Sequence, residues 1–208
     1  MKLQIAFDTI DLDRAISLAH EIESQTDIFE IGTLLIYKYG ELAVRKFREE
    51  FPQKTLFADA KIVDRSKDAV TLFAQAGADW ITVMSGINKG VIHTACTIAH
   101  TLGKKIMLDL SDASSLGQSA LEAKSLGVDA LLFHKPAAHD EQITFLDRWE
   151  MVKGNTQLPI FIGGALTATT INETLSLGAE GLVINSTVID LENATEHINT
   201  FANLVKQS

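Results

Sequence analysis

Short apolar runs of four or five residues alternate along the whole chain with longer stretches in which apolar residues recur at helical spacing. The short runs are β-like and the longer ones read as amphipathic helices. Strands are expected at Leu3–Phe7, Ile28–Ile31, Thr55–Ala58, Trp80–Val83, Lys105–Leu108, Ala130–Phe133, Pro159–Ile162 and Gly181–Ile184. A helix is expected from about Leu12, where Ala15, Ile16, Leu18, Ala19 and Ile22 share a face, another around Leu42 to Phe51, and a last one from about Glu192 to Lys206. Continuous β–α alternation implies parallel strands, because each helix carries the chain back across the sheet. Eight units in 208 residues leave about 26 residues each, close to the minimum for a strand, a helix and two short loops. The expected fold is therefore α/β, a single (β/α)8 TIM barrel over residues 1–208, with an open doubly wound sheet as the competing architecture. No Pro- or Gly-rich linker marks a boundary.

An internal echo supports the repeat. Ala76-Gly77-Ala78-Asp79, Leu126-Gly127-Val128-Asp129 and Leu177-Gly178-Ala179-Glu180 precede the fourth, sixth and eighth strands, at spacings of 50 and 51 residues. Each places Gly where a helix ends, since Gly enters the left-handed conformation at little cost.

Composition narrows the function. The formal net charge of −9 disfavours nucleic-acid binding, which needs a basic face. No apolar run approaches the roughly 18 residues of a membrane span, and the N-terminal apolar run is too short for a secretory signal. The single cysteine, Cys96, permits no intrachain disulfide, so a reduced, cytoplasmic setting is expected.

In a barrel of this kind chemistry gathers at the C-terminal ends of the strands. Those positions hold Asp8, Glu30, Asp59 followed by Lys61 and Asp64, Asp109, His134, Gly163-Gly164 and Asn185-Ser186. Asp59 and Lys61 stand two apart on an expected extended segment, which puts both side chains on one face. Four carboxylates there repel one another without a counter-ion; Lys61 supplies one positive charge and a divalent metal would supply two, Mg²⁺ suiting carboxylates with room for water. His134 ends an apolar strand, and imidazole as a group exchanges protons near neutral pH, which makes it a candidate for proton transfer. Gly163-Gly164 offers backbone N–H groups to an anion, aided by the dipole of a following helix. The competing roles are structural: helix N-caps for Asp8 and Asp109, a core histidine, a tight Gly-Gly turn.

These residues carry a family likeness. Phe57-Ala58-Asp59-Ala60-Lys61-Ile62-Val63-Asp64 resembles the Asp-x-Lys-x-x-Asp motif of the orotidine 5′-monophosphate decarboxylase suprafamily. Leu3–Asp8, Phe29-Glu30-Ile31-Gly32-Thr33 and Ala76–Val83 resemble the first, second and fourth strand regions of hexulose-6-phosphate synthases and 3-keto-L-gulonate-6-phosphate decarboxylases within it. The resemblance implies a homodimer with shared active sites, in which Asp64 reaches into the partner's site. It implies Mg²⁺ held by Glu30 and Asp59, Lys61 stabilising an enediolate made from a sugar phosphate, and His134 moving a proton. Asp8 would help position substrate and lysine, and Gly163, Gly164, Asn185 and Ser186 would lie at the phosphate. Asp109 on the fifth strand, where the decarboxylases usually carry Glu, and the run Tyr37-Lys38-Tyr39-Gly40 point to the synthase group and to aldol addition of formaldehyde to ribulose 5-phosphate. The decarboxylase reaction is the alternative, and a non-catalytic barrel binding a small anion or a partner is an alternative of another class. The chain departs from the family pattern at Arg65-Ser66-Lys67, Lys135-Pro136-Ala137-Ala138-His139 and Asn185-Ser186.

Overall fold

A computed structural model of the chain describes residues 1–135, 144–164, 166, 171–185 and 193–207. Eight parallel strands close in sequence order: β1 (Lys2–Phe7), β2 (Ile28–Ile31), β3 (Thr55–Ile62), β4 (Trp80–Met84), β5 (Lys105–Asp109), β6 (Ala130–Lys135), β7 (Ile160–Gly164) and β8 (Gly181–Ile184), with β8 hydrogen-bonded to β1. The described helices are α1 (Leu12–Ile22), α2 (Thr33–Tyr39), α3 (Glu41–Glu50), α4 (Ser66–Ala76), α5 (Lys89–Thr101), α6 (Leu116–Leu126), α7 (Phe145–Lys153), α8 (Ile171–Leu175) and α9 (Ala194–Gln207). This is the closed barrel expected from the alternation, not the open sheet. None of the described helices is long and apolar enough to cross a membrane.

Two elements differ from expectation. Helix α2 follows β2 directly and had no counterpart in the pattern. It is only seven residues long, buries Leu35 and Ile36, exposes Tyr37, and is cut from α3 by Gly40 at φ 60°. Too few turns separate its apolar residues for a helical period to show. Strand β3 runs four residues beyond Ala58 and so carries Asp59 and Lys61 within it.

The Gly-x-Asp echo has a structural cause at the N-terminal face of the barrel. Gly77 and Gly127 end α4 and α6 in the left-handed region, at φ 110° and 92°. Two residues on, Asp79 accepts the backbone N–H of Leu56 at 3.0 Å and Asp129 that of Ile106 at 2.8 Å. Asp27, just before β2, does the same for Leu3 at 2.7 Å. Each carboxylate thus satisfies the first free N–H of the neighbouring odd strand, a group otherwise left without a partner. Arg48 and Lys104 clamp Asp79 at 2.6 and 3.0 Å, and with the Leu56 N–H they outweigh burial and hold its carboxyl below the usual range.

Inside the barrel, Ala6, Ile28, Phe57, Met107, Leu132, Phe161 and Val183 fill one apolar layer with Trp80 packed against it. The larger core lies between strands and helices and includes an aromatic group of Phe7, Phe29, Phe47 and Phe51. The inner layer forms a floor. The next inward positions along β2, β3, β5 and β6 are Glu30, Asp59, Asp109 and His134, which places them together above it.

Candidate active site

Lys61 lies at the centre of this mouth. Its Nζ is 2.8 Å from Asp109 Oδ2 and 3.2 Å from Asp59 Oδ2. The other Asp109 oxygen lies 3.1 Å from His134 Nε2, a distance of ion-pair range without the alignment of a full hydrogen bond. The Ser111 N–H donates to that same oxygen at 2.8 Å. Asp59, Lys61, Asp109 and His134 therefore form one continuous chain of polar contacts.

Asp59 and Lys61 meet for a different reason from the expected one. Lys61 is not extended; its φ is 43°, and β3 slips against β4 between Ala58 and Ile62. Ala58 pairs with Ile81 but Ile62 with Val83, so four steps on β3 oppose two on β4. This is a bulge, a device that re-aims a side chain beside a site.

Electrostatics follow from burial and neighbours. Burial alone would lower the Lys61 ammonium's pKa, but Asp59 and Asp109 outweigh it and raise it above the ordinary lysine value. Asp109 is fully buried, which favours its neutral form; His134 and Lys61 overcome this and hold the carboxyl well below the usual range. Glu30 goes the other way. Burial raises its pKa well above the ordinary value and the charge of Asp59 adds to it; the Gln4 hydrogen bond and Lys61 oppose this, and Asp8 makes the smallest addition. One ammonium does not compensate all the carboxylates.

That imbalance is the test of a metal. Among the described residues no group of three or more His, Cys, Asp or Glu is arranged to hold an ion. Glu30 and Asp59 offer two hard carboxylates, and Mg²⁺ is commonly held by one or two carboxylates with water and substrate oxygens completing its shell. A cation between them would also relieve the repulsion that raises Glu30. The donor set fits.

The remaining candidates fall as follows. Asp8 follows β1 and its Oδ1 accepts the Leu34 N–H in the first turn of α2 at 3.4 Å; it does not cap the next helix, α1, which is capped by Asp11. Asp109 caps none either, since Ser115 precedes α6. Asp64 is exposed beyond the end of β3, accepts the neighbouring Arg65 N–H at 2.7 Å, and is not among the carboxylates within ion-pair distance of Lys61. Gly163 pairs with His134 across β6 and β7, and a Cβ there would lie 3.6 Å from His134 Nδ1. Gly164 is at φ 100°, where a Cβ would overlap the Lys135 carbonyl, so the chain needs glycine there. The described helix after Gly164 is the five-residue α8, which begins at Ile171, and residues 167–170 before it lie outside the described residues. Asn185 directly follows β8; Ser186 and Pro136–His139 lie outside the described residues. Lys135 turns outward to Glu173 at 3.2 Å.

Three polar residues at the site were not anticipated. Gln4 is fully buried and donates to Glu30 Oε2 at 2.6 Å. Thr33 donates to Asp59 Oδ2 at 2.5 Å, and Thr82 to Asp59 Oδ1 at 3.0 Å. Their signal was present: Gln4 and Thr82 interrupt apolar strands at inward-facing positions, where a polar group needs a partner.

Comparison with known proteins gives a consistent set of likenesses. Residues 1–156 match the model of the orotidine 5′-phosphate decarboxylase / HUMPS family. A Bacillus subtilis protein named 3-hexulose-6-phosphate synthase is 36% identical over 134 residues, a match that spans 64% of either chain. The crystal structure of 3-hexulose-6-phosphate synthase from Salmonella typhimurium superposes with a TM-score of 0.91 at 25% identity, over 100% of this chain and 99% of that one. The crystal structure of 3-keto-L-gulonate-6-phosphate decarboxylase from Vibrio cholerae shares the fold, with a TM-score of 0.86 at 22% identity over 99% and 97% of the chains.

Proposed function

The chain belongs to the orotidine 5′-phosphate decarboxylase / HUMPS family, and from that membership and its barrel mouth we propose that it is a carbon–carbon lyase of the 3-hexulose-6-phosphate synthase type. The observation that carries this is the Lys61 ammonium fixed between Asp59 and Asp109, with His134 against the far oxygen of Asp109.

In the proposed direction a proton leaves C1 of ribulose 5-phosphate, the resulting enediolate carbon bonds to formaldehyde, and the formaldehyde oxygen takes a proton. The enediolate is anionic, and fixed positive charge lowers its energy most where that charge develops. Lys61 presents such a charge without reorganisation, because two carboxylates hold it. Asp109 orients both the lysine and the imidazole. His134 moves the proton, with the bare Gly163 beside it leaving room. Gly163, Gly164 and Asn185 lie at the ends of β7 and β8, where barrels of this class commonly bind phosphate. Glu30 and Asp59 would hold Mg²⁺, which when bound supplies further positive charge beside the enediolate.

A homodimer fits the rim around Asp64. Ile10, Leu34, Tyr37 and Val63 follow β1, β2 and β3 on this face and stay exposed, Tyr37 by 75% and Val63 by 58%. The Ile10 carbonyl accepts from Lys38 Nζ and Tyr39 Oη at 2.9 and 3.2 Å, which ties its loop to α2, the helix that carries Leu34 and Tyr37. Apolar patches of this kind mark protein contacts.

Decarboxylation of 3-keto-L-gulonate 6-phosphate would draw on the same enediolate stabilisation and metal, so the assay must offer both substrates. With Mg²⁺ present, consumption of formaldehyde together with ribulose 5-phosphate is expected, and chelation should abolish it. Release of CO₂ from the keto-gulonate phosphate without aldol activity would assign the alternative; no turnover of either would assign a binding protein.

The metal reading predicts a stability effect of definite sign. Glu30 has a folded pKa above its unfolded value of about 4.3, so its favourable contribution is present below that value and is lost as pH rises through the raised one. At neutral pH without metal, the ionised group is therefore a cost. Glu30→Gln should melt at least about 2 °C above the wild type at pH 8 in chelator, the equivalent of about 1 kcal/mol in a chain of this size. The gap should narrow toward pH 5, and Mg²⁺ should stabilise the wild type but not the variant. Equal melting points in chelator at pH 8 would count against it.

A further inference from the structure

We infer that Thr82, a buried residue in the middle of β4, is the positioning residue that aims Lys61 into the mouth, an assignment that builds on the proposed role of Lys61. The hydroxyl of Thr82 has one proton to donate and lone pairs to accept with. It donates to Asp59 Oδ1 at 3.0 Å and accepts the backbone N–H of Lys61 at 2.8 Å. One side chain thus holds a carboxylate and the backbone of the lysine that the carboxylate faces.

The second observation is backbone geometry. Lys61 adopts φ 43°, one of two non-glycine residues with positive φ among those described, and it does so inside the bulge where β3 leaves its register with β4. Such a conformation costs free energy and persists only where its surroundings over-determine it. In the bulge the Lys61 N–H bonds to a side chain of β4 instead of a ladder carbonyl, and Thr82 is that side chain. Valine has the same shape but can neither accept the N–H nor donate to Asp59. Without the hydroxyl, Lys61 has no partner to hold its N–H in the left-handed turn, and relaxation to an ordinary strand conformation would swing its ammonium away from Asp109. Thr82 is fully buried, so it acts through Lys61 and Asp59.

The test compares Thr82→Val with Thr82→Ser, which keeps the hydroxyl. Thr82→Val is expected to lower kcat about 100-fold with little change in KM, since displacement of a catalytic group by about 1 Å has that effect. Thr82→Ser should recover to within a few-fold of the wild type. Crystal structures of both provide a readout that needs no turnover: in Thr82→Val the Lys61 φ should become negative and the Nζ–Asp109 contact should open, while in Thr82→Ser both persist. Should the valine protein not fold, Thr82→Cys, with a weak thiol in place of the hydroxyl, makes the same comparison. A folded Val or Cys variant with wild-type kcat, or with Lys61 unmoved, overturns the inference. Absence of aldol activity in the wild type would sink the proposed reaction but leave the crystallographic comparison to decide the role of Thr82.

Discussion

Lys61→Ala should lower kcat about 1,000-fold while KM for the sugar phosphate changes by no more than a few-fold. Removal of one preorganised group facing a developing oxyanion costs about 10²–10³ in kcat, and Lys61 brings a full charge into a partly buried site. Its ammonium stays protonated because Asp59 and Asp109 outweigh the effect of burial. An interaction that strengthens only as the enediolate forms lowers the barrel's barrier to reaction and not its affinity for the ground state. A loss confined to KM would reduce Lys61 to a substrate anchor. The variant must also be checked for folding. Asp109 is fully buried, and its folded pKa lies below the unfolded value. Its contribution to stability is therefore present above the unfolded pKa of about 3.9 and is lost as pH falls toward the depressed one. Lys61→Ala removes part of that contribution at neutral pH, so kcat should be read well below the melting point of the variant. Lys61→Met, which keeps most of the length and apolar stem, separates the lost charge from the lost packing.

The second large effect is recovery of activity from two inactive proteins. Lys61→Ala and Asp64→Ala should each be nearly inactive alone, and mixing them with subunit exchange should restore about a quarter of wild-type activity. Asp64 is exposed beyond β3 and is not among the carboxylates paired with Lys61, and the proposed shared site has it act on a second copy. In the proposed dimer, the exposed Ile10, Leu34, Tyr37 and Val63 would lie at the two-fold contact. In a mixed dimer one site receives Lys61 from one subunit and Asp64 from the other; the second site lacks both. Random exchange makes half the dimers mixed, with one of two sites intact, which gives the quarter. Exchange demonstrated by mass spectrometry with no return of activity would confine Asp64 to its own subunit or remove it from the reaction.

Much of this was legible along the chain. Alternating short and long periods locate all eight strands to within a few residues, because a buried strand and an amphipathic helix bury apolar surface at different repeats. The strand-end rule then collects Asp8, Glu30, Asp59, Lys61, Asp109 and His134 on one face of the barrel, as the structure does. Helix α2 escaped because seven residues hold too little periodicity. Gln4, Thr33 and Thr82 escaped because their partners are 26, 26 and 23 residues away, and nothing local in the chain records such a pairing.

The amino-acid order by itself thus determined the barrel, its strand order and the set of ionisable groups at its mouth, since these depend on local period and on which strand ends carry charge. Only the tertiary structure decided how those groups are joined: that Lys61 turns through a bulge to reach Asp109, that Glu30 is driven toward its neutral form while Asp109 is driven toward its charged form, and that Asp64 faces outward. Two carboxylates alike in sequence acquire opposite character because burial acts on both, but Asp109 gains a lysine and a histidine against its oxygens where Glu30 gains one amide.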